Sequence, residues 1–281
     1  MSQLKIKEKK NHFAFLGNFI TILILVVAIG VCAYAGGNLY KIFSEYKAGT
    51  DEYAKISDMV VTEKKADVKD ETWVDKETKK KVWTAPIEVD CKKLAQINPD
   101  FVGWLYVEAL PDISYPMVHY KDNDFYLHRT FEKQDNFAGT IFTDCQNKRN
   151  LGDSNTIIYG HNMKNGSMFG SIHSFEDETF FDGHPYIYVY TENERLTYEI
   201  YEAAKFTDVY IPSEYVISSK DDRDQFLADV REKVSDNKLH VREDMEIGED
   251  DRLITLSTCV SGERNHRYLV IGVLVETALY R

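Results

Sequence analysis

Two residues near the C-terminal end are of types, and at a spacing, that could do chemistry. Cys259 closes the run LITLSTC at 253–259, and Arg267 stands directly ahead of YLVIGVLV at 268–275. Runs of this length, rich in aliphatic and β-branched residues, suit buried strands. The polar segment 261–267 is expected to close as a hairpin-like loop, with Cys259 at one shoulder and Arg267 at the other. A thiol and a guanidinium at facing strand ends place a nucleophile beside a fixed cation. That cation favours the thiolate or stabilises charge developing on a substrate oxygen. An isolated cysteine is more often a small, inert core residue, so the case needs a base as well.

A thiol nucleophile requires such a base within hydrogen-bond reach. Of the eight histidines, His161 is the best placed, because NTIIY at 155–159 leads straight into Gly160, His161 and Asn162. The imidazole then sits where a buried strand opens into a loop. Gly160 is expected to permit a sharp exit, and 163–169 to fold over as a helix or lid. His266 is a rival through its adjacency to Arg267, but alternation along a strand points neighbours to opposite faces. His119, His128, His173 and His184 read as surface or hydrogen-bonded structural residues. No HExxH or zinc-finger spacing occurs, so a metal site is not expected. The chemistry outlined calls for no cofactor. With unperturbed pKa values of about 8.5 for Cys and 6.5 for His, thiol and neutral imidazole predominate near pH 7 unless the site shifts them.

The elements that must position these groups are mostly short strands. A helix is expected over 89–97, ended by Asn98 and Pro99. Strands are expected at 101–107 and 113–120 around a turn at Pro111 and Asp112, then at 139–143 and 155–159. The runs 186–190 and 196–201 alternate about 192–194 as a hairpin, and 203–210 continues that sheet. Residues 221–234 place Phe226, Leu227, Val230 and Val234 on one helical face, with Ser219 as cap. Many short strands with few helices indicate a mainly β fold, a barrel or sandwich.

The chain is acidic, with a formal net charge of −12 over 281 residues. Its first twelve residues carry four lysines against Glu8, +3, so the remainder carries −15. An acidic body argues against nucleic acid as partner. Four scattered cysteines form no CxxC pair and no disulfide framework, and whether Cys91 and Cys145 pair is left open. Residues 13–34 form an apolar run long enough, at roughly 33 Å as a helix, to cross a bilayer core. Lysines before the run and none just after it put the N-terminus inside and the body outside. A cleaved signal peptide is the rival, since Ala33, Tyr34 and Ala35 form an A-x-A-like site. Lipid attachment at Cys32 is disfavoured by bulky Val31. The organisation expected is a basic tail at 1–12, a transmembrane signal anchor at 13–35, a stalk at 36–85 and a globular domain at 86–281. The first half of the stalk reads as an amphipathic helix through Leu39, Ile42, Phe43, Tyr46, Tyr53, Ile56 and Val60, and 63–81 as an exposed charged linker.

The motifs NPDFVGWLYVEALPDISYPMVHY at 98–120, DNDFYLHRTF at 122–131, GTIFTDC at 139–145, NTIIYGHNMKNGSMFG at 155–170 and TLSTC at 255–259, then RYLVIGVL at 267–274, follow one another in an order that resembles class B sortases. These are membrane-anchored cysteine transpeptidases of Gram-positive bacteria, and the resemblance covers 86–281. It implies a sortase-type eight-stranded β-barrel, with His161, Cys259 and Arg267 as the catalytic set. By position, class B substrate-pocket residues carry over to Asn123, Leu127, Tyr210, Ile211 and Ser257. The implied reaction cleaves a C-terminal sorting motif after threonine through a thioester and joins the protein to a peptidoglycan amine. A pilin lysine as acceptor, or water in a surface cysteine peptidase, are the alternatives. The implied partners are surface proteins bearing the motif, the amine acceptor, and the membrane that holds the N-terminal helix. Two departures from the class are a short segment between Cys259 and Arg267, which also contains Arg264, and the lack of an acidic residue just after the cysteine.

Overall fold

The computed structural model describes residues 2–63, 73–74, 81–82, 85–183, 185–233 and 238–280. The linker expected at 63–81 therefore lies largely outside the described residues, as do His184 and Val234. The chain divides into two compact units, Met1–Ala48 and Gly49–Arg281.

The first unit is helical, part of α1 (Ser2–Val60). Among the described residues α1 is the one helix long and apolar enough to cross a membrane, with a stretch of mean hydropathy 2.6. Its side chains there, among them Phe19, Ile22 and Leu25, are exposed.

In the second unit the last turns of α1 bury Tyr53, Ile56 and Val60, while Leu39, Ile42 and Phe43 of the first unit are exposed. Tyr53 donates to the Gly139 carbonyl at 2.6 Å and stacks edge-on against Tyr115. Residues 61–63 pair with 87–89 as a short ribbon, so the helix expected from residue 89 starts later. It is α2 (Cys91–Ile97), capped by Asp90, whose carboxylate accepts from the Lys93 amide at 3.0 Å.

Eight strands follow: β1 (Phe101–Val107), β2 (Leu110–His119), β3 (Ile141–Thr143), β4 (Asn155–Tyr159), β5 (Tyr186–Tyr190), β6 (Glu194–Thr207), β7 (Leu253–Val260) and β8 (Glu263–Leu279). They pair in the order β1-β2-β3-β4-β7-β8-β6-β5, and β5 returns to β1, so the sheet closes into a barrel. Closure leaves no long unpaired edge in the barrel wall. Two parallel pairings, β2 with β3 and β4 with β7, break an otherwise antiparallel meander. The long β6–β8 ladder carries two register shifts, each of which bends the strands around the barrel.

Three expectations are corrected. The β1–β2 hairpin turns at Glu108 and Ala109, not at Pro111 and Asp112. Pro111 lies within β2, exposed and inside the register shift that leaves 111–113 without partners on β1, a place where its missing N–H breaks no ladder bond. The β7–β8 connection is a two-residue turn at Ser261 and Gly262, with Gly262 at φ +80°. Residues 263–267 belong to β8 and are not loop, although a register shift leaves 264–266 without partners on β7. Residues 163–169 form turns locked by an Asn162–Met168 bridge, with Met163, Met168 and Phe169 buried.

The remaining α-helices among the described residues are α3 (Glu178–Gly183), α4 (Ile211–Glu214) and α5 (Lys220–Lys233), with short 3-10 turns at Phe125–His128 and Gly170–Glu176. Ser219 caps α5 as expected, its hydroxyl accepting from the Asp222 amide at 3.2 Å. Phe226, Leu227 and Val230 of α5 pack with Leu253, Leu269, Ile271 and Val273 in one apolar cluster. Residues 253–258 are all buried. With period-two alternation, Ile254 and Leu256 therefore point to the other face, into the barrel. This double burial explains why β7 reads as a nearly continuous apolar run.

Candidate active site

The parallel pairing of β4 with β7 sets Tyr159 opposite Ser257. Just beyond the ladder, the Gly160 amide bonds the Ser257 carbonyl at 3.3 Å and the Thr258 hydroxyl bonds the Gly160 carbonyl at 2.7 Å. Two residues further along each strand come His161 and Cys259. On the other side of β7, Cys259 pairs directly with Arg267 of β8. Directly opposed residues of an antiparallel pair share a face, with Cβ atoms about 4.5–5.5 Å apart. The thiol and guanidinium are thus carried by the neighbouring strands β7 and β8, and the imidazole lies two residues past the end of β4. All three line a cleft of about 390 Å³.

Of the four cysteines, Cys259 alone lines this cleft and is exposed; Cys91 is buried, Cys145 half-buried, and all four are free thiols, so Cys91 and Cys145 are not paired. Burial pushes the Cys91 thiol up to about 12, which leaves it protonated and unreactive.

His161 Nε2 lies 2.8 Å from the Leu127 carbonyl oxygen. A carbonyl only accepts, so Nε2 carries the proton and Nδ1 is left as the basic nitrogen. Burial holds the imidazole below the ordinary histidine pKa; the Leu127 carbonyl opposes this and His128 adds to it. Gly160 has a different reason from the one its sequence position suggested. A Cβ there would sit 2.6 Å from Ile141 Cδ1 and 2.7 Å from the Phe169 ring. Close packing, rather than a sharp exit, demands glycine.

Arg267 Nη1 donates to the His266 carbonyl at 3.0 Å and, weakly, to the Arg264 carbonyl at 3.4 Å. Other donors of its five remain for an oxygen in the cleft. His266 pairs with Thr207, sits 3.0 Å from the Glu263 carboxylate, and does not line the cleft.

Asn123, Leu127, Tyr210, Ile211 and Ser257 line the same cleft. A thiol, a base and a cation at the mouth of a mostly apolar groove suit acyl transfer from an extended peptide.

Residues 106–275 match the family model described as the sortase domain. Sortase B of Listeria monocytogenes is 32% identical over 255 residues, covering 88% of this chain and 90% of the relative. The chain belongs to the class B sortases. Solved structures agree. Sortase B from Bacillus anthracis has a TM-score of 0.63 at 30% identity, covering 84% of this chain and all of that one (100%). The Staphylococcus aureus sortase B–substrate complex has a TM-score of 0.56 at 27% identity, covering 66% and 84%. The chain is accordingly a cysteine transpeptidase, a substrate-binding enzyme on a sortase-type barrel.

Sequence reasoning missed several residues of this sortase cleft. Phe206, Thr207 and Val209 line it, although in sequence they read only as sheet continuation. Behind the nucleophile, Asn162 Nδ2 donates to the Cys259 carbonyl at 2.8 Å, and His173 Nε2 lies 3.2 Å from the same oxygen. His173 Nδ1 meets Glu176 at 2.7 Å and the ring stacks on Tyr268. The position of Asn162 directly after His161 was the available signal for it. Nothing local marks His173.

Proposed function

We propose that this sortase anchors surface proteins to the cell wall, using His161, Cys259 and Arg267. The observation that carries the reading is the convergence on one cleft of Cys259 of β7, Arg267 paired with it on β8, and His161 just past the end of the adjoining strand β4. The Cys259 thiol gives its proton to His161 Nδ1 as Sγ attacks the carbonyl carbon of a threonine in a C-terminal sorting motif. The oxyanion forms near Arg267, whose guanidinium offers charge and N–H donors. The C–N bond to the following residue breaks, and His161 supplies the proton that the leaving amine takes. A thioester on Cys259 remains. An amine of the peptidoglycan stem peptide then attacks the thioester carbon, gives its proton to His161 and expels the Cys259 thiolate.

In this reading Asn123, Leu127, Tyr210, Ile211 and Ser257 contact the motif. Residues 13–35 anchor the enzyme in the cell membrane, with 1–12 on the inner side and the domain at 86–281 on the outer face. Segment 36–85 connects the two, and its last helical turns pack on the body through Tyr53 and Ile56.

The test uses the full chain in detergent micelles with a library of sorting-motif peptides, with and without triglycine or diaminopimelate. Intact-mass spectrometry should find an acyl adduct on Cys259 that passes into an amine-linked product and is absent in Cys259→Ala. Hydrolysed peptide alone, with every amine, would assign the enzyme to peptide release instead.

A further inference from the structure

Below the cleft lies a carboxylate that the mechanism does not use. Asp144, the residue after β3, is fully buried at 0% exposure and does not line the cleft. Its Oδ2 accepts from Asn123 Nδ2 at 2.8 Å and from the Tyr159 hydroxyl at 3.0 Å. Its Oδ1 accepts from the Tyr210 hydroxyl at 3.0 Å and from the Gln146 amide at 2.8 Å. An ionised carboxylate has about four acceptor sites, and here each oxygen serves two neutral donors. A buried charge satisfied in this way is costly to disturb and rigidifies whatever supplies its donors.

The donors come from three separate segments that form the cleft wall. Asn123 lies in the connection after β2, Tyr159 at the end of β4, and Tyr210 between β6 and α4. The Asn123 amide is held at both ends, since its Oδ1 accepts from the Cys145 amide at 2.8 Å. Tyr210 accepts from Gln146 Nε2 at 3.1 Å and, weakly, from Asn123 Nδ2 at 3.4 Å. Each phenol gives its one proton to Asp144, and the Tyr210 oxygen also accepts from Gln146, so the Tyr210 hydroxyl is held within this network at the cleft wall.

We propose that Asp144 is a positioning residue for substrate, the shared acceptor that fixes Asn123 and Tyr210 and so sets which polar groups of the sorting peptide the cleft selects. This rests on the reading that the cleft holds that peptide. Burial, and then the charge of Asp144, push the Tyr159 phenol well above its ordinary pKa, and Tyr210 is pushed up to about 12. Both therefore stay protonated donors at working pH.

The informative variant is Asp144→Asn, which keeps the shape. Whichever way its amide turns, one oxygen becomes an NH2 group, and one of the two donor pairs loses its acceptor. The full chain in detergent is assayed with the same library of sorting-motif peptides in fluorogenic form, and Cys259 alkylation by iodoacetamide is followed by peptide mapping. The expected result is KM raised about tenfold or more with kcat within about threefold, and alkylation of Cys259 within about twofold of wild type. Tyr210→Phe should be non-additive with Asp144→Asn. Equal loss of kcat, alkylation rate and thermal stability would make Asp144 a structural carboxylate only and overturn the proposal, as would an unchanged KM. If wild type itself turns over no peptide, the parent reading is what fails. The side-chain amide protons of Asn123 then decide for Asp144. They should be shifted and slow to exchange in wild type and lose both properties in Asp144→Asn, and an unchanged spectrum overturns the proposal.

Discussion

The Leu127 carbonyl oxygen stands 2.8 Å from His161 Nε2 and would lie 2.6 Å from any Cβ added to Gly139. One backbone oxygen thus fixes the ring of the proposed base and excludes every side chain from position 139. Gly139 also has φ +61°, in the region that favours glycine. Gly139→Ala is expected to lower stability by more than about 1 kcal/mol and to reduce kcat by displacing Leu127. Thermal unfolding and turnover measured together check it; an unchanged kcat would break the link to His161.

The same burial sets a pH dependence. His161 is held below the ordinary value of 6.5, so at pH 7 it is neutral in the folded enzyme. The unfolded chain binds this proton more readily, so the stabilisation is complete above 6.5 and is lost as pH falls below it. NMR titration of the His161 ring should give a midpoint under 6.5. His128→Gln should move it upward, because His128 contributes to the lowering. A midpoint at or above 6.5 in wild type would contradict the geometry.

Arg267 faces Cys259 across the ladder, and a planar guanidinium differs from an ammonium in the donors it fixes. Arg267→Lys should retain charge yet lose much of the activity, and Arg267→Ala should lose about 10²–10³ in kcat, the range for removing one oxyanion donor. Cys259→Ala should abolish adduct formation with the fold intact by circular dichroism. Full activity in Arg267→Lys would reduce the role of Arg267 to charge alone.

Away from the cleft, Glu202 on β6 is fully buried against Arg231 of α5, Nε to Oε2 3.2 Å. Burial raises its pKa from 4.5 to about 7, with Arg231 opposing. Here the folded state binds the proton more readily, so stability falls as pH rises from 4.5 through 7. Glu202→Gln should flatten that slope in denaturant titrations between pH 5 and pH 8. Arg231→Ala should destabilise by about 1–3 kcal/mol by leaving the carboxylate without its cation. A wild-type slope of the opposite sign would sink this account.

Much of the molecule was legible in the residues themselves. The Val- and Ile-rich run 268–275, the alternation about 192–194 and the amphipathic 221–233 each carry a local period that fixes strand or helix regardless of what lies across from it. TLSTC, NTIIYGHN and their order carried the family, and with it the barrel, His161, Cys259 and Arg267 and the five lining residues. Where local signals failed, a non-local term had won. Pro111 looked like a turn, but the hairpin closes at Glu108 and Ala109 because the register shift lets proline ride an exposed stretch of β2. Tyr53 read as part of the stalk helix, but it is buried against Tyr115, Gly139 and Thr140 far along the chain.

The sequence by itself determined most elements and the identities of the candidate reacting groups, since those follow from side-chain chemistry and short-range period. Only the tertiary structure decided their juxtaposition. The β4–β7 pairing joins residues about a hundred positions apart, and its register sets Tyr159, two residues before His161, opposite Ser257, two residues before Cys259. Asp144 read as one more acidic residue between Thr143 and Cys145. Its function depends on donors from positions 123, 159 and 210, which only closure of the barrel brings to one point.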